Sequence, residues 1–442
     1  MRADSLDQLY FQHLHTQKMR ADLALAATGF DALVIHAGRP PTQFLDDQDY
    51  SYKVNPHFKA WVPILDNPGC VLVYSPGSKP QLLFYQPNDY WHKTADLPAG
   101  AWTGVLDITA IADPSKAAGY WANLGRVALI GPAECFDARP EETVNPPDLL
   151  AQLHYDRAVK TAYELECMRR ASALGARGHL AALEAFRAGG SEYEAHMRYL
   201  EACAQREEEM PYNNIVAYNE HAAVLHYQHL ERAAPPALRS FLIDAGAQYR
   251  GYASDITRTY AAEPGIYGDL VSALDEAQLL LCDEIVAGRD YRAVHLTAHR
   301  VLGDVMHRIG LTKLPGQAAL EVGVTGVFFP HGIGHLLGLQ VHDVGGVMGD
   351  AQGHEVKRPE GHPYLRLTRT LEPGVVVTVE PGIYFIDSLL AAARADSRRE
   401  HIDWALVEQL RPFGGIRIED NVAATESRPE NLTREAFKRV AA

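Results

Sequence analysis

Apolar and polar positions in the first third of the chain alternate between two rhythms. Ser5-x-x-Gln8 opens a helix-period amphipathic run that Gly29 closes, with a capping box at one end and a residue free to turn left-handed at the other. Short β-rich runs follow at 32–35, 70–74, 81–85 and 127–130, each bounded by Gly, Pro, Asn or Asp, and they predict strands. A small α/β domain over residues 1–157 accounts for this mixture. Beyond it the rhythm changes. Thr161-x-x-Glu164 opens one long helix, and Ser191-x-x-Glu194, after Gly189-Gly190, opens a second. The stretches 269–287 and 291–309 carry two more, with Gly288 and Gly310 just past their ends. Strand-like blocks at 214–260 and 328–425 lie between and after these helix pairs. The order helix, helix, strands, helix, helix, strands predicts a duplicated α+β unit over 158–442, although no repeat is visible in the residues themselves.

Composition narrows the class of function more than the fold. The 442 residues carry 41 Lys and Arg against 56 Asp and Glu, with 47% apolar side chains, as in an ordinary globular protein of two or three domains. A net charge of −15 argues against nucleic acid or an anionic membrane surface as the main partner. Cys70, Cys135, Cys167, Cys203 and Cys282 form an odd set without Cys-x-x-Cys, which suggests neither a disulfide framework nor a thiolate zinc site; reduced, buried thiols are expected. Residues 1–18 contain no apolar signal core, and no apolar run approaches the roughly 18 residues of a membrane span, so a cytoplasmic protein is expected.

The chemistry concentrates in carboxylates that end apolar strands. Phe241-Leu-Ile-Asp244 and Asp255-Ile-Thr-Arg-Thr-Tyr260 flank a turn at 248–251. A hairpin centred between Tyr249 and Arg250 would set Asp244 directly opposite Asp255, a like-charge pair that is destabilising without a cation between its members. Val375-Val-Val-Thr-Val-Glu380 repeats the arrangement before Pro381-Gly382, and in Gly415-Ile-Arg417-Ile-Glu419 the alternation puts Arg417 and Glu419 on one face. Arg417 satisfies only part of four buried negative charges, whereas two divalent cations of hard or borderline character would neutralise them. His331-Gly-Ile-Gly-His335 and His342 supply nitrogen among glycines that allow close backbone approach. His226, in Val224-Leu-His-Tyr, reads by itself as structural. His354-Glu-Val-Lys-Arg358 lacks the second His of a zincin, Gly332-x-Gly-x-x-x-Gly338 has the wrong spacing for a dinucleotide loop, and neither a Gly-x-Ser-x-Gly elbow nor a Walker loop occurs.

In order and in local sequence, Asp244, Asp255, His335, Glu380 and Glu419 resemble the metal ligands of the pita-bread metallopeptidases: prolidases, aminopeptidase P and methionine aminopeptidases. The runs His-Gly-Ile-Gly-His, Val-His-Asp-Val-Gly-Gly, Glu-Pro-Gly-Ile-Tyr-Phe and Arg-Ile-Glu-Asp-Asn carry the resemblance. It is nearest to the proteobacterial Xaa-Pro dipeptidases (prolidases), a group that includes organophosphorus acid anhydrolase. Gln43-Phe-Leu-Asp-Asp47, Lys53-Val-Asn-Pro-His-Phe-Lys-Ala-Trp61 and Asp89-Tyr-Trp-His92 look like that group's amino-terminal domain. The intact ligand set separates the chain from metal-free relatives such as creatinase and the peptide-binding modules of this fold.

The resemblance implies an α+β pita-bread catalytic domain behind the smaller domain, and hydrolysis of Xaa-Pro dipeptides by a hydroxide bridging two divalent ions. Those ions would be Mn²⁺, with Co²⁺ or Zn²⁺ as alternatives. It gives Asp255 to one ion, completes the other with His335, and lets Asp244, Glu380 and Glu419 serve both, with Glu380 also shuttling the proton. His342 would steady the carbonyl oxygen or the tetrahedral intermediate, and His226 and Arg366 would clamp the substrate's terminal carboxylate. Arg417 would support the ligands, Tyr212, His331 and Tyr384 would line the pocket, and Asp47 would reach a partner subunit's site in a homodimer. The rival readings are organophosphorus triester or fluorophosphonate hydrolysis, as a side activity, and aminopeptidase P.

Overall fold

The computed structural model describes residues 5–136 and 143–441. The chain divides into two compact units: Met1–Cys167 with Asp350–His354, and Met168–Gly349 with Glu355–Ala442.

In the first unit the capping box forms as its residues dictate. The Ser5 hydroxyl accepts from the Gln8 N–H, the Gln8 side chain accepts from the Ser5 N–H, and helix Leu6–Thr28 ends on Gly29 at φ 71°. A mixed sheet follows in the order Asp107–Ile111, Gln81–Tyr85, Val71–Tyr74, Ala32–His36, Val127–Ile130. The four apolar runs supply its inner strands and one edge. The other edge, Asp107–Ile111, escaped the sequence pattern because only Ile111 of its five residues is buried.

Helix Ala162–Arg187, whose first turns belong to the first unit and the rest to the second, and helix Glu192–Cys203 of the second unit start on the two further capping boxes, at Thr161/Glu164 and Ser191/Glu194. Helices Ile266–Asp283 and Tyr291–Arg308 form the second pair. An antiparallel sheet joins Thr257–Ala261, Ser240–Asp244 and Ile215–Tyr218. A second one joins Val376–Val379, Asp420–Ala423 and Glu430–Asn431, while Gly382–Tyr384 pairs with Gly415–Arg417.

Two sequence expectations need correction. The hairpin turns at Arg250-Gly251, both at positive φ (50° and 86°), in a two-residue loop between Tyr249 and Tyr252. The register therefore lies one position further along, and Asp244 faces Thr257 rather than Asp255. The block 328–425 is not mainly strand: it also holds helices Asp387–Ala395 and Trp404–Leu410 and a long irregular stretch before Val376. Leu390 and Ala393, buried one helical step apart, mark the first of these helices.

Backbone bridges draw the strand ends together. Glu419 N–H donates to the Thr257 carbonyl at 3.0 Å, and Thr378 and Glu380 N–H groups donate to the His335 and Ile333 carbonyls at 3.0 and 2.8 Å. Gly334 is obligatory there, since a methyl group would collide with the Thr378 carbonyl oxygen and the Tyr291 hydroxyl.

Behind Glu419, the fully buried Asp420 accepts from Arg258 at 2.7 Å, Arg434 at 2.6 Å and Asn431 at 2.8 Å. Arg434 in turn reaches Asp275 at 2.6 Å, which ties the C-terminal helix Leu432–Ala441 to helix Ile266–Asp283. Burial alone would push the Asp420 carboxyl up, but Arg258 and Arg434 outweigh it and hold it at about 2. Since that lies below the usual carboxylate value near 4, its contribution is complete above about pH 4 and disappears as pH falls through 2. Asp420→Asn, which leaves Arg258 and Arg434 without their counter-charge, is expected to cost about 3–5 kcal/mol at pH 7 in urea unfolding. The gap to the parent protein should narrow between pH 4 and 2; a gap independent of pH would contradict the charge argument.

Candidate active site

Four strand ends and one loop bring Asp244, Asp255, His335, Glu380 and Glu419 to the floor of a cavity of about 490 Å³ within the second unit. Although Asp244 and Asp255 are not cross-strand partners, the Tyr212 hydroxyl spans them, 2.8 Å from one carboxylate and 2.6 Å from the other. Arg417 donates to Asp244 at 2.7 Å and to the Tyr384 hydroxyl at 3.0 Å. The Thr257 hydroxyl donates to Glu419 at 2.7 Å. Asn421 fixes the Asp255 backbone from both sides, its side-chain oxygen accepting the Asp255 N–H at 3.0 Å and its amide donating to the Asp255 carbonyl.

His335 is oriented by its backbone neighbour. Its Nδ1 donates to the Leu336 carbonyl at 2.9 Å, which turns Nε2 toward Asp255 at 3.4 Å and Glu380 at 3.7 Å. His331 stands beside it, with Nδ1 on the Gly332 carbonyl and Nε2 2.8 Å from the Tyr384 hydroxyl.

The electrostatics show what this floor lacks. Burial pushes Asp244 above the usual carboxylate range, against the pull of Arg417. Burial and the charges of Asp255 and Asp244 push Glu380 up to about 7 despite His335 and Arg417, and Glu419 lies well above its usual value for the same reasons. Asp255 goes the other way: burial raises it, but hydrogen bonds from His335 and Tyr212 win. His335 is held above its ordinary value because Asp255 and Glu380 outweigh burial. Asp244, Glu380 and Glu419 thus hold protons more tightly than free carboxylates do, the mark of a floor short of positive charge. Four carboxylates, one imidazole nitrogen aimed inward and one arginine fit divalent cations, and Asp255, His335 and Glu419 already offer ligand atoms within 4.8 Å of one another.

The rim is more open. His226, His342 and Arg366 line the same cavity and are exposed, and Arg366 has no ion-pair partner among the described residues. The His342 ring lies edge-on to His335 at 4.5 Å, and partial desolvation of the ring against the cavity wall together with the charge of His335 lowers it to about 4, so it is neutral at pH 7. Asp47 lies on an exposed turn of the first unit, accepting from Gln48 at 3.3 Å. Thr257 and Asn421 as supports, and Arg358 and Tyr364 on the rim, carry no signal of those roles in the residue pattern. Thr257 lies in the run that starts at Asp255, and Asn421 closes Arg-Ile-Glu-Asp-Asn, so both sit beside residues the pattern does single out.

Comparison with known proteins decides the family. Residues 166–426 match metallopeptidase family M24, and residues 8–155 match the N-terminal domain of Xaa-Pro dipeptidase. The chain belongs to metallopeptidase family M24. It is 51% identical over 439 residues to an Xaa-Pro dipeptidase of Xanthomonas campestris pv. campestris (strain 8004), covering 99% of both chains. To one of Shewanella loihica it is 47% identical, covering 98% of this chain and 99% of that one. Among solved structures, a Glu-to-Ala variant of Escherichia coli aminopeptidase P in complex with substrate superposes with a TM-score of 0.74 at 25% identity, covering 96% and 95% of the two chains. Pseudomonas aeruginosa aminopeptidase PepP shares the fold, with a TM-score of 0.72 at 24% identity over 100% and 99%. The resemblance to the Xaa-Pro dipeptidase group thus extends over the whole chain, and the M24 fold is the pita-bread fold expected of it. Membership of a metallopeptidase family implies divalent metal ions.

Asp244→Asn keeps the shape of the side chain and removes one negative charge from the floor. Manganese retained by the purified variant after Mn²⁺ loading and desalting, counted by mass spectrometry, is expected to fall at least about tenfold while the far-UV spectrum stays that of the parent. Full metal content at low added metal would remove Asp244 from the donor set.

Proposed function

We propose that this family M24 member is an Xaa-Pro dipeptidase that releases a free amino acid and proline, with two divalent ions held by Asp244, Asp255, His335, Glu380 and Glu419. The carrying observation is the joining of that anionic floor to a rim bearing His226 and Arg366 in one dipeptide-sized cavity; relatives named Xaa-Pro dipeptidase at about 50% identity support it. Divalent cations in this donor set would supply Lewis acidity and a nucleophile from water near neutral pH.

The side chains have separate tasks. Arg417 and Tyr212 hold Asp244 and Asp255 in place through the bonds described above. Glu380, at the edge of the floor and 17% exposed, is the carboxylate that carries the proton to the leaving proline nitrogen. Neutral His342 donates a hydrogen bond to the substrate's carbonyl oxygen. Arg366 and His226 bind the terminal carboxylate, and His331 and Tyr384 wall the pocket. The bond before proline has no N–H, so recognition falls on the two ends of the dipeptide.

The donor set, four carboxylates to one imidazole, favours Mn²⁺ over softer ions. A homodimer accords with the exposure of the sequence pairs Phe44-Leu45 and Tyr90-Trp91 in the first unit, large apolar side chains that a partner would cover, and Asp47, two residues past Leu45, would serve the partner's site. Five free cysteines accord with a reducing, cytoplasmic setting. No helix among the described residues is long and apolar enough to cross a membrane.

Glu380→Gln should lower kcat by a larger factor than it raises KM, because a ligand and the proton carrier are lost together. A rise in KM alone would move Glu380 to substrate binding. The clamp predicts chain-length selectivity: Xaa-Pro should be cleaved about 30- to 150-fold better in kcat/KM than Xaa-Pro-amide, the worth of a charge-assisted bond of about 2–3 kcal/mol. Arg366→Met should damage dipeptide turnover and close most of that gap. If tripeptides Xaa-Pro-Xaa turn over as fast as dipeptides, aminopeptidase P becomes the better description.

A further inference from the structure

A second group of titratable side chains in the same unit has no part in the chemistry above. His295 and His299 stand one turn apart on one face of helix Tyr291–Arg308, and His362 meets them from the irregular stretch that carries Arg366. Their ring centroids form a nearly equilateral triangle, 4.8 Å between His295 and His299, 4.6 Å between His295 and His362, and 4.7 Å between His299 and His362. One nitrogen from each lies within 4.8 Å of the other two.

Core packing does not explain this group. The Ile333 N–H donates to His295 Nδ1 at 3.3 Å, so in the metal-free protein His295 carries its proton on Nε2 and gives it to His362 Nδ1 at 2.9 Å. His299 Nδ1 lies 2.9 Å from the Thr325 hydroxyl, but its Nε2 is buried with no hydrogen-bond partner among the described residues. An orphaned buried nitrogen is costly, and a leucine or phenylalanine in its place would carry no such penalty. Burial, reinforced by the neighbouring rings, lowers His295 to about 2 and His299 to about 3, and burial lowers His362 as well. All three are therefore neutral at pH 7, the form that binds metal. A cavity of about 460 Å³ opens onto them, and Glu321 and Glu360 also line it.

We propose that His295, His299 and His362 form a site for one Zn²⁺-class transition-metal ion, separate from the carboxylate floor. Three imidazoles favour Zn²⁺, Cu²⁺ or Ni²⁺, whereas the carboxylate floor favours harder ions, so the two sites sort metals by donor type. For His295 to bind through Nε2, its proton moves to Nδ1 and the long bond from Ile333 opens. That is the cost of loading, and filling the orphaned His299 position offsets it. The histidine cavity shares Pro330, His331, Pro363, Tyr364 and Leu365 with the substrate cavity. A bound ion would tether His362 and with it the segment leading to Arg366.

The test uses full-length protein loaded with Mn²⁺, titrated with ZnCl₂ and desalted, with bound zinc counted by mass spectrometry. One zinc per chain is expected beyond the carboxylate site. It should persist in Asp244→Asn, which separates this site from the proposed catalytic one, and be weakened at least about tenfold in His362→Asn and His299→Gln, as much as loss of a supporting hydrogen bond costs a metal site or more. His299→Gln alters a buried ring and could unfold its helix; His362, partly exposed, is the milder change, and circular dichroism confirms its fold. Cu²⁺ in place of zinc should give an EPR spectrum with nitrogen hyperfine structure that His362→Asn removes. Zinc binding unchanged in folded His362→Asn, or no zinc retained by Asp244→Asn, overturns the proposal.

Discussion

Mutual repulsion among four clustered carboxylates, Asp255 and Glu419 buried and Asp244 and Glu380 half-buried, is the constraint around which the second unit is arranged. At an effective dielectric of about 20, two unit charges 4 Å apart repel by about 4 kcal/mol, and Arg417 answers only part of that sum. Such a floor assembles only if its backbone is fixed independently of it. The Thr257–Glu419 and Leu336–Val377 bridges, the Asn421 grip on Asp255 and the absent side chain at Gly334 supply that fixity. The ion-pair cluster at Asp420 lies one residue beyond Glu419, so a satisfied charge network backs an unsatisfied one.

Floor and rim differ in more than position. Asp255, His335, Glu419 and Arg417 are buried and held through several bonds each, whereas His226, His342, Arg358 and Arg366 are exposed on irregular segments. Rigid placement suits groups that must meet within a few tenths of an ångström, and looser placement suits groups that receive a flexible ligand. The division assigns chemistry to the sheets and selection to the loops.

How much of this was legible depends on the range of each signal. Capping boxes at Ser5, Thr161 and Ser191 were readable because the reciprocal bonds span three residues. The carboxylates at Asp244 and Glu380 were readable as acids ending apolar runs, and the family motifs supplied the rest of the ligand set. The hairpin register was missed because Arg250, unlike glycine or asparagine, gives no warning of a left-handed conformation. Strand Asp107–Ile111 was missed because an exposed edge has no need of apolar alternation. The histidine triangle was illegible in principle: His362 stands 67 positions from His295, and only tertiary folding brings them together.

The collision that a methyl group at Gly334 would suffer has an evolutionary consequence. A backbone pressed against the Thr378 carbonyl leaves position 334 no side chain it can accept, so drift at that position is blocked. His226, Tyr364 and the other exposed residues of the mouth carry no such restriction. Descendants of this chain can diverge in what they admit while inheriting the same reaction unchanged, and a search for altered selectivity belongs at the mouth rather than beneath it.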